Sequence, residues 1–270
     1  MRASENGSYK NIWITGASLG IGASLSQFYA APGICLGLLG RNAERLGEVA
    51  AKCREKGAQV YTYVADVTNA DDLRKYSEDF QSHVGSADLV VANAGIRIEE
   101  DAEYRDGCIA AEVMGVNYLG VINTIIPFIA GMKERRSGHL AIISSISAFR
   151  GTPNSGAYSA SKAAINVWAE SLRQRLIPYG INVSVLCSGF VQTAMTSSLE
   201  FWMPGILSSG AAAEIIASAI RRRKRQVTFP WPSKIIWTVF RILPGRFYDT
   251  LILWAKARQT SKRSDRGPRG

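Results

Sequence analysis

The sequence has few of the residues that bind metals or form disulfides. It contains only two histidines in 270 residues, His83 and His139, and they lie far apart. The four cysteines stand singly, without the CxxC spacing of a redox or zinc motif. We therefore expect no metal site. Isolated cysteines are typical of reduced packing residues, which suits a reducing compartment.

Long hydrophobic runs are also missing. No uncharged apolar stretch reaches the roughly 18 residues of a membrane span, so no transmembrane helix is predicted. The first ten residues lack the apolar core of a signal peptide. We therefore expect a cytoplasmic protein. Its length suits one α/β domain, because such folds commonly exceed 200 residues.

Short apolar runs alternate with stretches of helical length. The runs predict buried strands, because strands covered on both faces are apolar throughout; they lie at 10–15, 34–39, 60–64, 88–92, 140–144, 182–187 and 226–229. Helices are predicted between them at 20–31, 42–56, 70–84, 108–135, 157–178 and 211–223, with Asn42 and Asn69 as N-caps. This alternation predicts a parallel sheet with helices on both faces, within a domain spanning residues 1–230.

A glycine-rich turn follows the first strand directly. Glycines let a backbone approach a pyrophosphate closely, and the start of the next helix offers unpaired N–H groups. The predicted dinucleotide contacts of this turn are Gly16, Ser18, Leu19, Gly20, Ile21 and Gly22. The alternative is a plain strand–helix connection.

The end of the second strand bears on the choice of cofactor. A carboxylate there would bind the adenosine ribose of NAD, whereas an arginine accommodates the 2′-phosphate of NADP. The strand ends in Leu39 and Gly40, and Arg41 follows without any carboxylate. We therefore favour NADP(H) over NAD(H). Alternatively, Arg41 is a solvated residue at a helix start.

Tyr158 and Lys162 are four residues apart at the start of a predicted helix, so they share one face. A tyrosine is a weak acid, and a neighbouring ammonium stabilises its charged form. The pair therefore predicts a Tyr158 pKa that Lys162 lowers, which would suit proton transfer. Alone, the pair could equally be a buried tyrosine beside a surface lysine.

Other motifs occur in a fixed order around this pair, over residues 9–195. They are TGASLGIG at 15–22, Asp66 after the third strand, ANAG at 92–95, Asn117 in VNYLG, IISSISA at 142–148, YSASK at 158–162 and SGFVQT at 188–193. In these motifs the sequence resembles the short-chain dehydrogenase/reductase family, in its single-domain branch. The resemblance implies a doubly wound Rossmann-type sheet of order 3-2-1-4-5-6-7. It also implies a homodimer or homotetramer built partly on the two long helices.

The resemblance further implies a role for each matching residue. Ser145 would orient the substrate oxygen, Tyr158 would transfer a proton to or from it, and Lys162 would hold the nicotinamide ribose. Asn117 would support a water that relays protons to Lys162. The other implied cofactor contacts are Asp66, Val67, Asn93, Ala94, Gly95, Val191 and Thr193. The implied reaction interconverts a carbonyl and an alcohol by hydride transfer.

Three positions depart from the usual family motifs. Ala92 replaces an asparagine, which removes a polar side chain, and Ser188 replaces a proline, which puts the nicotinamide contacts in doubt. Leu19 stands where many NADP-preferring members carry a basic residue, which removes one expected phosphate contact. The four catalytic positions are unaffected.

Basic charge is concentrated at the C-terminal end. Residues 221–270 hold 14 Lys or Arg and 2 Asp or Glu, whereas residues 1–220 hold 18 and 20. Within 231–258, two apolar stretches on either side of Pro244-Gly245 have helical spacing: Ile235, Ile236, Val239, Phe240 and Leu243, then Phe247, Tyr248, Leu251, Ile252 and Ala255. Such faces, with basic flanks and Trp231, Trp237 and Trp254, are typical of helices lying on an anionic membrane.

The same apolar faces are also compatible with contacts inside the protein or between its copies. They could pack on the body, cover the substrate pocket or form a dimer contact. We expect no nucleic-acid partner, because no recognition fold accompanies the basic cluster. Residues 259–270 are polar and basic and predict a disordered tail.

The substrate itself is not specified by the sequence. Phe149, Phe201, Trp202 and Met203 indicate an apolar pocket, and the membrane hypothesis favours a lipophilic substrate at the inner face of a membrane. The alternative function is a non-catalytic nucleotide-binding scaffold or sensor that retains the fold, since fold does not determine function.

Overall fold

The computed structural model describes residues 9–100, 107–193, 195–196 and 205–264. The strands are β1 (Asn11–Thr15), β2 (Cys35–Gly40), β3 (Gln59–Val64), β4 (Leu89–Ala92), β5 (Gly138–Ser145), β6 (Ile181–Ser188), β7 (Val191–Gln192), β8 (Leu207–Ser208) and β9 (Gln226–Phe229). The helices are α1 (Gly20–Tyr29), α2 (Ala43–Glu55), α3 (Ala70–Val84), α4 (Gly107–Met114), α5 (Gly120–Arg135), α6 (Gly156–Leu176), α7 (Ser209–Arg221), α8 (Trp231–Ile242) and α9 (Gly245–Ser264).

Seven of these strands form one parallel sheet in the order β3-β2-β1-β4-β5-β6-β9. The two-residue strands β7 and β8 pair with each other outside this sheet, so β9 is its seventh strand along the chain. The predicted fold and strand order are therefore confirmed.

Side chains alternate between the two faces of the sheet, as the strand period of two requires. In β1, Ile12 and Ile14 join a core with α1, α2 and α7, whereas Trp13 joins a second core with α3, α5 and α6. Both faces are covered, and every residue of β5 is buried. The helices therefore form one layer on each side of the sheet.

Two helices begin where the sequence predicts. The Asn42 side chain accepts a hydrogen bond from the Arg45 N–H at 2.8 Å, and Asn69 accepts one from the Asp72 N–H at 3.2 Å. These bonds satisfy N–H groups that have no partner within the helix. Both predicted N-caps are confirmed.

Two helical predictions need correction. The predicted helix 108–135 is interrupted at Gly115–Leu119 by a π-helical turn, a distortion common at functional sites. Helix α9 extends through Ser264 and thus includes residues 259–264, for which the composition predicts a disordered tail.

The helical stretch Gly107–Arg135 is long and apolar enough to cross a membrane, and it is the one such stretch in the described ranges. Its inward side chains, including Ile125 and Phe128, are fully buried in the core of the α/β fold. Length and composition alone therefore do not distinguish it from the core helix of a globular domain.

His139 at the start of β5 is buried in a chain of hydrogen bonds. The Ser184 hydroxyl donates to the Lys224 carbonyl at 2.5 Å, so it accepts from His139 Nε2 at 2.8 Å. This leaves His139 Nδ1 to accept from the Tyr9 hydroxyl at 2.7 Å. Burial, together with the nearby Arg223 charge, lowers the pKa of His139 to about 4. The neutral ring therefore joins the segment before β1 to the segment after α7.

This network predicts a loss of stability in mild acid. Unfolded chains bind a proton at His139 below a pH of about 6.5, while the folded protein binds it only near pH 4. Stability is therefore lost as pH falls through this window, by about 2 kcal/mol between pH ~7 and ~5. Urea unfolding of His139→Gln at both pH values should show a shallower pH dependence than the parent.

His83→Gln is the matched control, because His83 is the only other histidine and its side chain is half exposed. It should keep the parental pH dependence. Equal pH dependence in the parent and His139→Gln would contradict the assignment of the neutral, buried ring.

Candidate active site

The predicted site residues converge at the carboxyl edge of the sheet. β1 and β4 are neighbours there, while the chain leaves β1 toward β2 on one side and leaves β4 toward β5 on the other. In open parallel sheets, ligands bind in the crevice at such a reversal point. The glycine-rich turn follows β1, the ANAG segment follows β4, and Ser145 ends β5.

The glycine-rich turn has the geometry of a phosphate site. Gly16 and Gly20 have φ of +64° and +56°, a region that side chains disfavour. A Cβ on Gly22 would lie 2.2 Å from the Gly16 carbonyl oxygen. Helix α1 begins after Leu19, which provides no side-chain cap, so its first N–H groups face outward. This cradle fits the pyrophosphate of a dinucleotide. Of the other predicted contacts, Ser18 lies beside Gly40 and Ile21 packs against the core.

Asn93 holds this turn in place. Its Nδ2 donates to the Thr15 and Gly16 carbonyls at 3.0 and 3.1 Å. The backbone N–H groups of Asn93 and Ala94 approach the Thr15 hydroxyl at 3.3 and 3.4 Å. The ANAG segment thus fixes the floor of the crevice, and Ala94 leaves room only for a glycine at position 16.

Arg41 follows β2 and faces Asp66, which follows β3. Their side chains form an ion pair at 3.4 Å on the rim of the crevice. Burial alone would raise the pKa of Asp66, but hydrogen bonds from Thr68 and the Arg41 charge lower it overall. The Val67 side chain is buried against Gly120, and its carbonyl accepts from Asn123 Nδ2 at 2.9 Å.

The segment after β6 approaches the glycine-rich turn from the other side. Thr193 lies so close to Gly20 that a Cβ there would be 3.0 Å from the Thr193 methyl group. The Thr196 hydroxyl donates to the Val191 carbonyl at 2.6 Å and accepts from the Thr193 N–H at 3.0 Å. Val191 itself is buried in the core. The substitution at Ser188 leaves its hydroxyl bonded to the Ser144 carbonyl at 3.3 Å.

Ser145 and Tyr158 are brought together at the centre of the crevice. Ser145 is the last residue of β5, and Tyr158 lies in the first turn of α6. The Ser145 hydroxyl lies near enough to the Tyr158 phenol to lower its pKa, and the Ser145 oxygen accepts from the Ser147 N–H at 3.2 Å. Lys162 Nζ lies 5.8 Å from the centre of the Tyr158 ring, on the same side of the helix.

The predicted effect of Lys162 on Tyr158 is wrong. Burial raises the pKa of Tyr158, while the nearby Ser145 hydroxyl and the charge of Arg97 partly oppose that rise. Lys162 is not among the groups that lower the pKa of Tyr158; its ammonium is buried, and burial lowers its own pKa to about 8. The phenol is therefore protonated at neutral pH, the form that donates a proton.

Lys162 is held beneath the crevice by a backbone carbonyl. Its Nζ donates to the Ile143 carbonyl at 3.1 Å, and only 4 % of the residue is exposed. Burial lowers its pKa and nearby Cys187 partly opposes this. A cation with one fixed hydrogen bond retains donors for the hydroxyls of a ribose.

Asn117 lies in the π-helical turn and is fully buried. Its amide exchanges two hydrogen bonds with the Ile96 backbone, accepting from N–H at 2.8 Å and donating to C=O at 2.9 Å. It also donates to the Ser161 hydroxyl at 3.0 Å. A Cβ on Gly95 would lie 3.0 Å from Asn117 Oδ1 and 3.4 Å from Lys162 Nζ. Asn117 therefore fixes the segment that borders the lysine.

Sequence reasoning missed two residues beside Tyr158. Arg97 donates to the Ser155 hydroxyl from Nε at 3.1 Å and from Nη2 at 2.7 Å. The Glu100 carboxylate accepts from the Gly156 and Ala157 N–H groups and so caps α6. No local motif marks either residue; both follow ANAG in the segment between β4 and α4.

Part of the predicted substrate region lies outside the described residues. This applies to Phe201, Trp202 and Met203, whereas Phe149 packs partly buried against the core. Within the described ranges, no three metal-ligating side chains come together.

Comparison with known proteins agrees with this geometry. The sequence pattern of the family described as short chain dehydrogenase matches residues 10–204. An uncharacterized oxidoreductase of Myxococcus xanthus is 32% identical over 90% of this chain and 96% of its own. The 11-beta-hydroxysteroid dehydrogenase A of Sesamum indicum is 32% identical over 89% of this chain and 77% of its own.

A solved structure is similar in fold. It is the alcohol dehydrogenase of Thermococcus sibiricus complexed with 5-hydroxy-NADP, with a TM-score of 0.74 and 26% identity over 82% of this chain and 95% of that one. The sheet order, the glycine-rich turn and the family match together identify the protein as a member of the short-chain dehydrogenase family, an oxidoreductase that acts on CH–OH donors with NAD(P).

Proposed function

We propose that this protein is an NADP(H)-preferring enzyme that interconverts a carbonyl and an alcohol on a lipophilic substrate. The observation that carries this proposal is the convergence of Ser145, at the end of β5, with Tyr158, in the first turn of α6, at the carboxyl edge of the sheet, where Lys162 Nζ lies 5.8 Å from the centre of the phenol ring. A nucleotide-binding scaffold has no need of this pair, because phosphate and ribose contacts alone would hold its ligand.

The proposed chemistry assigns each polar group one task. When bound, the nicotinamide supplies or accepts the hydride. Ser145 donates a hydrogen bond to the substrate oxygen, and Tyr158 gives that oxygen its proton during reduction. Lys162 holds the ribose hydroxyls, and Asn117 fixes the backbone beside it. Burial of Tyr158 raises its pKa and so keeps the donating form present, which supports the reductive direction.

Removal of the Tyr158 hydroxyl tests this chemistry. We expect Tyr158→Phe to lower kcat/KM for ketone reduction by about 10²–10⁴-fold, because proton donation is lost. NADPH oxidation with a panel of ketones and aldehydes measures the rate. NADPH binding, followed by fluorescence, should be unchanged.

Tyr63→Phe is the matched control. Tyr63 is also a buried tyrosine, but its hydroxyl donates to Asp79 at 2.7 Å, away from the crevice. Its activity should stay within about twofold of the parent. Full activity in Tyr158→Phe would instead favour a different catalytic mechanism or the scaffold hypothesis.

Arg41 supports the NADP(H) preference. Its guanidinium is mostly exposed on the crevice rim, where a planar donor can bind a 2′-phosphate with two bonds. The end of β2 carries no carboxylate that would repel that phosphate. The ion pair with Asp66 does not occupy all donors of the guanidinium.

Loss of the Arg41 side chain should affect KM for NADPH more than KM for NADH. We expect Arg41→Ala to raise KM for NADPH by roughly tenfold or more, because a charge-assisted phosphate contact is lost. KM for NADH should change by less than about twofold. Arg74→Ala is the control, since Arg74 is equally exposed and pairs with Asp71 at 3.2 Å on the surface. Equal changes for NADPH and NADH would contradict the preference.

Helices α8 and α9 pack on the body through one face. The Tyr248 hydroxyl donates to the Gly151 carbonyl at 2.6 Å, and the Arg150 guanidinium lies 4.6 Å from the centre of the Tyr248 ring. Arg150 also donates to the Leu243 carbonyl at 3.1 Å. The helix pair is thus attached to the segment between Ser145 and Tyr158.

The outer face of the same helices is apolar and exposed. Trp231, Ile242 and Phe247 are 72%, 76% and 68% exposed. Exposed apolar side chains recur at helical spacing along each helix: Trp231, Ile235, Val239 and Ile242 on α8, then Phe247, Leu251 and Trp254 on α9. Leu253, beside Trp254, is also exposed. The basic residues 221–225 are also exposed. We therefore propose that this face rests on an anionic membrane at the cytoplasmic side, which would deliver a lipophilic substrate. The hydroxysteroid activity named for the sesame relative agrees with such a substrate.

Vesicle sedimentation tests the membrane contact. We expect the parent to sediment with phosphatidylglycerol vesicles and less with phosphatidylcholine, and salt should weaken the binding. Replacing Trp231, Ile242 and Phe247 together by serine should leave the protein in the supernatant. In the control variant, serine replaces Val64 and Ile177, which are exposed elsewhere on the body. This variant should still sediment with the vesicles. Equal sedimentation of both variants would contradict the assignment of this face.

Helices α5 and α6 support the proposed homo-oligomer. Their outer surfaces border a cavity of about 350 Å³ with Ile126, Trp168 and Tyr179 in its lining. Val167 beside it is 70% exposed. A paired copy of the same face would cover these apolar side chains, since two-fold contacts use one surface twice.

A further inference from the structure

The segment after β4 crosses the start of α6 and is bound to it at two points. Arg97 donates two hydrogen bonds to the Ser155 hydroxyl, the residue that precedes α6. Glu100 accepts from the Gly156 and Ala157 N–H groups. The guanidinium is only partly exposed, and Ser155 is 4% exposed. Arg97 is therefore held in one place rather than free in solvent.

This position puts the guanidinium close to the Tyr158 side chain. Ser155 immediately precedes α6 and Tyr158 is the third residue of that helix, so both lie at its first turn. Helical side chains lean toward the N-terminus, which directs the phenol over the turn that starts at Ser155. The charge of Arg97 accordingly opposes the burial effect on the pKa of Tyr158.

The other charged groups near Tyr158 do not replace this cation. Lys162 lies on the ring side of Tyr158 and is bound to the Ile143 carbonyl. The Glu100 carboxylate is neutralised in part by the N–H groups at the start of α6. Cys187 faces Lys162 and not the phenol. Among the described residues, Arg97 is the cation whose charge lowers the pKa of Tyr158.

We propose that Arg97 is a positioning residue that stabilises the Tyr158 phenolate formed during reduction. The inference rests on the proposed role of Tyr158. In that step the phenol O–H bond breaks and a new O–H bond forms on the substrate oxygen, whose carbon receives the hydride. The phenolate then takes a proton from solvent. A fixed cation at the crevice wall lowers the energy of this charged state, because water is largely excluded there.

The test measures the ionisation of Tyr158 directly, without a substrate. Tyrosinate absorbance is titrated in the NADP⁺ complex by rapid pH jumps, and the same titration of the matching Tyr158→Phe protein is subtracted. We expect Arg97→Gln to raise the Tyr158 midpoint by about one pH unit, the size of effect that a nearby opposite charge has. Arg97→Lys should restore most of the parental midpoint, because it restores the charge.

Arg150→Gln is the control, since Arg150 is a nearby arginine that is bound instead to Leu243 and Tyr248. It should leave the midpoint unchanged. An Arg97→Gln titration that coincides with the parent would overturn the inference, and so would an equal shift in Arg97→Lys. A failure of the proposed function would give a different result. In that case Tyr158→Phe would still reduce ketones, whether or not the titration midpoint depends on Arg97.

Discussion

The site depends on one buried ammonium, that of Lys162. Burying a cation is costly, so the surrounding atoms must compensate for the lost water. The Ile143 carbonyl accepts one of its hydrogen bonds, and the thiol of Cys187 favours its charge. Its pKa nevertheless falls to about 8. The protein thus replaces only part of the hydration that the ammonium loses. Hydroxyl groups of a ligand would add further hydrogen bonds, which suits a residue that holds a ribose.

The positions of the other site residues follow from the parallel sheet. All its strands end at one edge, so the turn after β1, the ANAG segment after β4 and Ser145 at the end of β5 meet there without long connections. Asn93 joins the first two by donating to the Thr15 and Gly16 carbonyls. Asn117 joins the second to α6 through Ile96 and Ser161. The floor of the crevice is thus fixed by hydrogen bonds that the amide side chains of Asn93 and Asn117 donate.

Much of this arrangement was predictable from the sequence, because it depends on local patterns. Apolar runs located the strands, and Asn42 and Asn69 marked helix starts through bonds to their own helices. The ionisation of Tyr158 was not predictable in this way. It depends on how deeply the phenol is buried and on Arg97, a residue distant in sequence that only the folded chain brings near. The helical spacing of Tyr158 and Lys162 gave their common face correctly but said nothing about the solvation of the lysine.

The C-terminal helices connect this chemistry to the outer surface. The sequence left open whether their apolar residues pack on the body or stay exposed, and the structure has both arrangements on opposite faces. Tyr248 is buried against Gly151, whereas Phe247, its neighbour in sequence, is exposed. A helix that needed only to cover the body would carry polar residues on its outer face, because exposed apolar surface promotes association. The inner face of these helices binds the segment between Ser145 and Tyr158. Only the thickness of one helix therefore separates the outer face from the substrate side of the crevice.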